Sequence, residues 1–507
     1  MELVNLYKEN RPNGRIRLCA EVTYETAIDG RTQDIFYMEY PDIVANNITT
    51  SGSPWLVLLL PISAVLGEKL IIHRPVDPVL LEGCLEVLDI WKCWMPHLFS
   101  VEIEAKIQLP VARESTGKTG SYFSGGIDSM HTLLRHEDHS AGQRSENIDT
   151  LITILGIFGQ EKDHVERCGA DSMRHHIDAI ARRYQKEVIE VHVNVYSTRF
   201  ALTNSLNHSH SCLLAAVALG MGEYLARVLI PSSVTYKDIA PGGSHPLTDR
   251  LFSTSKTKFI PDANHVTRFQ KMDYFVEKKH DLHSLQVCSR DPELKNCSQC
   301  YKCLRNMLML ETVDKLKECE LFREPALDYK KVTRLYCSDN RLLHDLNQVI
   351  TRGKATGRHD LVDCAETIIQ QSSWICATRM LIRKLRYQRP LEAQDMQTLE
   401  EILGKRDTAL PNTAVLQGLN RFIGRHPSVS MYLKNLLDKG YQKVFELKVA
   451  PDRSLFLQME HALLSNMICE SVLHFQLKDP QSELRQPELI FINGIPIFNK
   501  SASPVEF

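Results

Sequence analysis

Ser121-Tyr-Phe-Ser-Gly-Gly-Ile-Asp-Ser129 is the stretch whose reading decides the fold. An apolar pair, Tyr122-Phe123, reads as a short strand that runs into Ser124-Gly125-Gly126, and a helix pattern opens at Asp128-Ser129. Glycines let the chain turn tightly, so successive amides approach an anion without obstruction from Cβ atoms. The hydroxyls of Ser124 and Ser129 add donors, and the helix N-terminus adds partial positive charge. Backbone amides at Gly125, Gly126 and Ile127 together with these hydroxyls make a cradle suited to pyrophosphate. Ser-Gly-Gly-x-Asp-Ser between a strand and a helix is far more specific than an isolated glycine-rich turn.

Outward from the loop, strand and helix patterns alternate. Residues 128–135 read as a helix, 150–158 as a strand, 171–184 as a long helix, 188–195 as a strand, 211–226 as a helix and 227–231 as a strand. Strand–helix–strand units of this length predict an α/β fold built on a doubly wound parallel sheet, with ligands at the carboxyl ends of the strands. The first ~110 residues carry their own mixture: strands at 16–24 and 34–40 around Asp29-Gly30, a buried helix at 55–66, a strand at 69–73, an amphipathic helix at 78–94 and a strand at 100–109. Beyond residue 326 the pattern is mostly helical, closing on a strand-like segment at 489–498 with the turn Asn493-Gly494. At about 150 residues per domain, 507 residues suggest three. The expected division is a small α/β or α+β domain over 1–115, the loop domain over 116–325 and a mostly helical domain over 326–507. Ala112-Arg-Glu-Ser-Thr-Gly-Lys-Thr119 fits a relaxed Walker A pattern, but Gly120 and a strand follow it where a helix is required. It reads as a linker, with Lys118 solvated.

Cys288, Cys297, Cys300 and Cys303 give the spacing Cys-x8-Cys-x2-Cys-x2-Cys. Four thiolates close a tetrahedron around zinc with Zn–S of about 2.3 Å and leave no open position. Such a site staples a loop and contributes folding energy. A ferredoxin-type cluster would want a further Cys-Pro at position 307, where Met307 stands, so zinc is favoured over iron–sulfur. The remaining cysteines read as small buried hydrophobes.

Ser124-Gly-Gly-Ile-Asp-Ser129 resembles the loop of the N-type ATP pyrophosphatase (PP-loop) superfamily, whose fold belongs to the larger HUP-like class. The cysteine quartet, about 160 residues further on, resembles the zinc site of its 7-cyano-7-deazaguanine synthase branch. Phe158-Gly159-Gln160 echoes that branch's Tyr-Gly-Gln, and the resemblance covers about residues 118–315. It implies that the loop holds the β- and γ-phosphates of ATP while a carboxylate or amide oxygen attacks the α-phosphate. AMP is then displaced by a nitrogen nucleophile. It also implies Mg²⁺ held in part by Asp128, catalytic roles for Ser124, Asp128 and Ser129, and nucleotide contacts from Gly125, Gly126, Ile127, Phe158, Gly159 and Gln160. Ile157 stands where that branch carries aspartate, Glu161-Lys162 replace its basic and histidine positions, and the flanks have no counterpart in the compact synthase. This pattern implies an enlarged paralogue, of the kind found in bacterial antiviral defence and specialised metabolism. A PP-loop thiolating enzyme acting on tRNA or a small molecule is the first alternative, with Cys168 or Cys212 as its candidate thiol. A protein that binds ATP without turnover is the second.

Composition narrows the rest. Hydrophobic residues make up 43% and charged residues 24%, with a formal charge of −2. Disorder, collagen repeats and a disulfide miniprotein are excluded, and no global attraction to nucleic acid exists. The apolar run 55–62 is too short to span a bilayer, the N-terminus lacks a signal-peptide core, and a cytoplasmic protein is expected. Substrate-side candidates lie in the polar segment 232–249: Lys237, Asp238, His245 and Asp249, each with a turn or surface role as the simpler reading. Asn204, Asn207, His208 and His210 before the fourth helix are similar candidates, and Lys302 and Arg305 beside the cysteines could meet phosphate. Arg379, Arg383, Lys384, Arg386 and Arg389 form a basic cluster whose ordinary meaning is a solvated helix face. The expected partner is a small-molecule or nucleobase-like substrate, with a protein acceptor as a variant. Nucleic acid is disfavoured, no membrane is involved, and a homo-oligomer is expected.

Overall fold

The computed structural model describes residues 1–28, 30–96, 98–108, 117–155, 165–203, 208–278, 280, 285–288, 295–320, 322–337 and 340–386, with short strands between 448 and 496. The chain divides into two compact units, Met1–Ala326 and Leu327–Phe507. The first is α/β, as expected, and holds a ten-stranded sheet.

The sheet's strands are β1 (Glu2–Asn10), β2 (Ile16–Ile28), β3 (Arg31–Tyr40), β4 (Leu70–Val76), β5 (Ile103–Ile107), β6 (Lys118–Tyr122), β7 (Thr150–Leu155), β8 (Glu187–Val193), β9 (Leu225–Pro231) and β10 (Lys258–Asp262). Their spatial order is β10-β9-β6-β7-β8-β3-β2-β1-β4-β5. The run β8-β7-β6-β9-β10 is parallel throughout. Numbered from β6, this half has the order 3-2-1-4-5 of a doubly wound sheet, which places the topological switch point between β6 and β9. β10 was not anticipated; its Lys-Phe-Ile-Pro-Asp sequence contains a proline, which an edge strand tolerates. β1 was also missed, because only Leu3 and Leu6 of its mainly polar stretch are buried.

The division expected at residue 115 does not separate two bodies. β3 pairs antiparallel with β8, Met38 opposite Val193 and Glu39 opposite His192. Helix α1 (Ser53–Leu66) packs on a helix of the loop-bearing half, α5 (His210–Gly220), and both are almost wholly buried in one hydrophobic core. The approach is close: a Cβ on Gly220 would sit 2.1 Å from the Tyr40 hydroxyl, which itself donates to the Val217 carbonyl at 3.0 Å. Helix α2 (Pro78–Trp94) begins where the sequence indicates. Asp77 caps it by accepting from the amides of Val79 and Leu80, and Pro78 occupies the first turn. Asp77 also accepts from the Ser255 amide and hydroxyl, tying the N-terminal segment to the loop-bearing half.

Four more helices complete the first unit: α3 (Ile127–Glu137), α4 (Val165–Arg183), α6 (Arg268–Glu277) and α7 (Tyr301–Glu311). The second unit has α8 (Tyr329–Val332), α9 (Asn340–Thr356) and α10 (His359–Arg386), with α9 and α10 packed together. It also has five short antiparallel strands, β11 (Lys448–Val449), β12 (Leu455–Leu457), β13 (Leu473–Phe475), β14 (Ile490–Ile492) and β15 (Ile495–Pro496). β14 and β15 fall in the segment expected to be strand-like, and the expected turn Asn493-Gly494 lies outside the described residues. β11, β12 and β13 occupy ground expected to be helical, because apolar runs of two or three residues are too short to reveal a period. The side chains of the basic cluster 379–389 lie outside the described residues. Among the described residues, no helix is long and apolar enough to cross a membrane.

Candidate functional site

The loop 123–126 leaves the carboxyl end of β6 at the switch point and opens into α3. Gly125 has φ +71°, a conformation that favours glycine, and a Cβ there would stand 3.2 Å from the His176 ring. Gly126 is the N-cap of α3, and no side chain caps that helix start among the described residues. The first amides of α3 therefore keep their donor capacity for an anion. Ser129 shapes the turn: its hydroxyl accepts from the Ser124 amide at 3.2 Å and donates to the Gly126 carbonyl at 3.1 Å. Ser124 is exposed, so the turn faces solvent.

Asp128 lies beside three cations. Its Oδ2 pairs with Arg268 at 2.6 Å and its Oδ1 with the Lys271 ammonium at 2.8 Å. Arg305 adds its field from α7. Burial would raise the Asp128 pKa, but the three cations outweigh it and hold the carboxyl at about 2. Lys271 is 1% exposed and also donates to the Ser232 carbonyl, and burial pulls its pKa down. Arg268 and Lys271 stand one helical turn apart on α6, which starts with a Thr267–Gln270 capping box. Sequence reasoning overlooked both. The signal was present as Thr267-Arg-Phe-Gln-Lys271, a capping box with one cation inside it and one directly after it, following a strand that was itself unrecognised.

Behind this site, Asp262 at the end of β10 accepts from Thr132 at 2.8 Å, contacts the His136 ring at 3.3 Å and pairs with Arg135 at 3.4 Å. These partners overcome burial and bring its pKa to about 2. For both Asp128 and Asp262 the stabilising contribution is full above the ordinary carboxylate value of 3.8 and is lost as pH falls toward 2. Each is worth about 2 kcal/mol. Melting temperature is accordingly expected to drop between pH 4 and pH 2. A flat melting profile across that window would contradict the ion-pair geometry.

The substrate-side candidates separate. Lys237 is exposed. Asp238 accepts from the Thr235 hydroxyl at 2.7 Å in a single turn of 3₁₀ helix. His245 is buried against Trp94, ring centroids 4.7 Å apart, and its Nδ1 accepts from the Leu247 amide. Asp249 is buried and accepts from the Ser244 hydroxyl at 2.7 Å and the His245 amide at 2.8 Å. Burial lifts its pKa to about 6 despite these bonds. His245 and Asp249 thus hold the turn 244–249 together. Phe158, Gly159, Gln160, Asn204 and Asn207 lie outside the described residues. Lys118 begins β6 and pairs with Glu187 at 3.1 Å, so the Walker-like segment leads into a strand and no helix N-terminus receives it. A solvent-open groove lined by Lys118, Glu137, Asp149, Lys186 and Glu187 sits at the amino ends of the strands, opposite the loop. Doubly wound sheets bind at the other end.

The four cysteines converge. All four sulfurs lie within 4.8 Å of one another, with Cys288–Cys300 and Cys297–Cys303 each at 3.8 Å. A tetrahedron with metal–sulfur bonds of about 2.3 Å has edges of about 3.8 Å, so the donor set fits a metal such as zinc. The Cys300 amide donates to the Cys297 sulfur at 3.3 Å, the Cys303 amide to the Cys300 sulfur at 3.5 Å, and Cys300 caps α7. These amides favour thiolate. Asn296 braces the segment by accepting from the amides of Val287 and Cys288 and donating to the Leu285 carbonyl.

No family model, curated protein or solved structure matches this chain.

Proposed function

We propose that the unit 1–326 is an ATP-dependent adenylating enzyme of the PP-loop type, similar to 7-cyano-7-deazaguanine synthase. It activates a carboxylate or amide oxygen of a small-molecule or nucleobase-like substrate, releases pyrophosphate and couples the substrate to a nitrogen nucleophile. One observation carries the reading: the uncapped, glycine-cradled start of α3 opens at a switch point beside Arg268, Lys271 and Arg305. Amides and cations converging on one point suit a polyanion that leaves as pyrophosphate. Mg²⁺, when bound with ATP, would neutralise charge on the leaving group, and Asp128 is the carboxylate placed to help hold it. Arg268, the less buried of the two cations paired with Asp128, is then available to the phosphates, while buried Lys271 adds its charge from behind. The cysteine quartet supplies a closed, structural metal site with no open coordination position.

Of the two candidate thiols of the thiolating alternative, the side chain of Cys168 lies outside the described residues and Cys212 does not suit the role. Cys212 is fully buried, its pKa is raised by burial, and its thiol points at the His208 carbonyl. A sulfur carrier needs an accessible thiolate.

ATP labelled at the α- or γ-phosphate, incubated with candidate carboxylates and ammonia, tests the reaction. AMP and pyrophosphate are the expected products. ADP and orthophosphate would overturn the assignment, and bound ATP with no product across acceptors would favour the binding-only alternative.

A further inference from the structure

Metal centre and phosphate loop are separate motifs in the sequence, yet a single residue joins them. The Gln286 backbone amide donates to the Gly125 carbonyl at 3.0 Å. Its side-chain amide donates at 2.6 Å to the carbonyl of Cys288, itself a member of the quartet. Its own carbonyl and Cβ lie against the loop glycines: a Cβ on Gly126 would be 3.6 Å from the Gln286 carbonyl oxygen, and one on Gly125 3.5 Å from the Gln286 Cβ. Gln286 is 2% exposed.

The chemistry of its amide group is informative. Nε2 faces a carbonyl, which orients the amide, and Oε1 is left buried with no hydrogen-bond partner among the described residues. A buried acceptor without a partner costs free energy, so the side chain is a poor choice for packing alone. What it does provide is a fixed distance between the cysteine segment and the loop. A second connection runs in parallel: the quartet anchors the start of α7 through Cys300 and Cys303, and α7 carries Arg305, whose charge acts on Asp128.

We infer that Gln286 is a positioning residue that couples occupancy of the four-cysteine metal site to the shape of the phosphate loop, so that an ordered anion cradle requires both metal and strap. This rests on the reading of 124–129 as a pyrophosphate site. Outer residues around metal sites commonly matter by about 10- to 100-fold when removed. Here the effect falls on the loop, because the strap's other end is the Gly125 carbonyl.

The test uses the full-length Gln286→Ala protein, with three measurements: zinc content, hydrogen–deuterium exchange across 124–129, and affinity for Mg²⁺-pyrophosphate. The expected result is wild-type zinc content, faster exchange confined to the loop, and pyrophosphate binding weakened about tenfold or more. Unchanged exchange over 124–129 in a zinc-loaded variant overturns the coupling. Wild-type protein that fails to bind pyrophosphate overturns the assignment of the loop, while the exchange measurement still decides the coupling. Should Gln286→Ala fail to fold, zinc is withdrawn from the wild-type protein with a chelator. Loop exchange that rises with metal release while strands β6 and β9 stay protected supports the inference, and loop exchange that is indifferent to metal release, or that rises only together with exchange throughout the sheet, refutes it.

Discussion

Asp128→Asn is expected to lower AMP and pyrophosphate formation on the order of a hundredfold or more. With its pKa held near 2, Asp128 is fully ionised at neutral pH, and asparagine keeps the shape while removing the charge. The same substitution leaves Lys271, 1% exposed, without the anion that compensates its burial. Breaking one side of a buried pair costs about 3–5 kcal/mol, so activity and melting temperature must be measured together. Asp128→Asn combined with Lys271→Met removes the orphaned charge and should recover much of the stability without restoring turnover. Full adenylating activity in a folded Asp128→Asn protein would eliminate Asp128 from the chemistry. ADP as the main product of the wild type would return attention to the segment around Lys118.

Cys300→Ser is expected to abolish stoichiometric metal and, with it, soluble folded protein at ordinary temperature. The wild type should hold about one zinc per chain and show no visible iron–sulfur absorption. Cys300 has two tasks, since its sulfur belongs to the quartet and also caps α7. Structural zinc contributes about 10–16 kcal/mol of apparent binding energy in small zinc domains, as much as the whole stability of an ordinary domain, about 5–15 kcal/mol. Elemental analysis finding iron and sulfide in place of zinc would overturn this assignment, and a Cys300→Ser protein that keeps its metal and its melting point would remove Cys300 from the ligand set.

Much of the molecule was legible because its signals are local. The turn from β6 through Gly125 and Gly126 into α3 is set by glycines at a strand–helix junction, where only a few residues decide the conformation. The cysteine spacing over residues 288–303 likewise constrains four sulfurs at short range. Helix α2 was readable from Asp77, Pro78 and its apolar period.

What the sequence left open depends on pairing between distant segments. Its periodicity identifies strands but not their neighbours, and the pairing of β3 with β8, Met38 opposite Val193, turns two expected domains into one sheet. The convergence of Arg268, Lys271 and Arg305 on Asp128 requires α6 and α7 to fold back over the loop. Each of these cations on its own reads as a solvated surface group. His245 and Asp249 show the converse: polar residues that looked available in sequence are buried as turn braces, because a Gly/Pro-rich segment must satisfy its own amides where it packs. Sequence by itself determined the glycine turn into α3, the spacing of the four cysteines and the α/β class, since each is written in neighbouring residues. Only the tertiary structure decided which cations face the loop and how the cysteine segment is strapped to it, because those contacts join residues more than 100 positions apart.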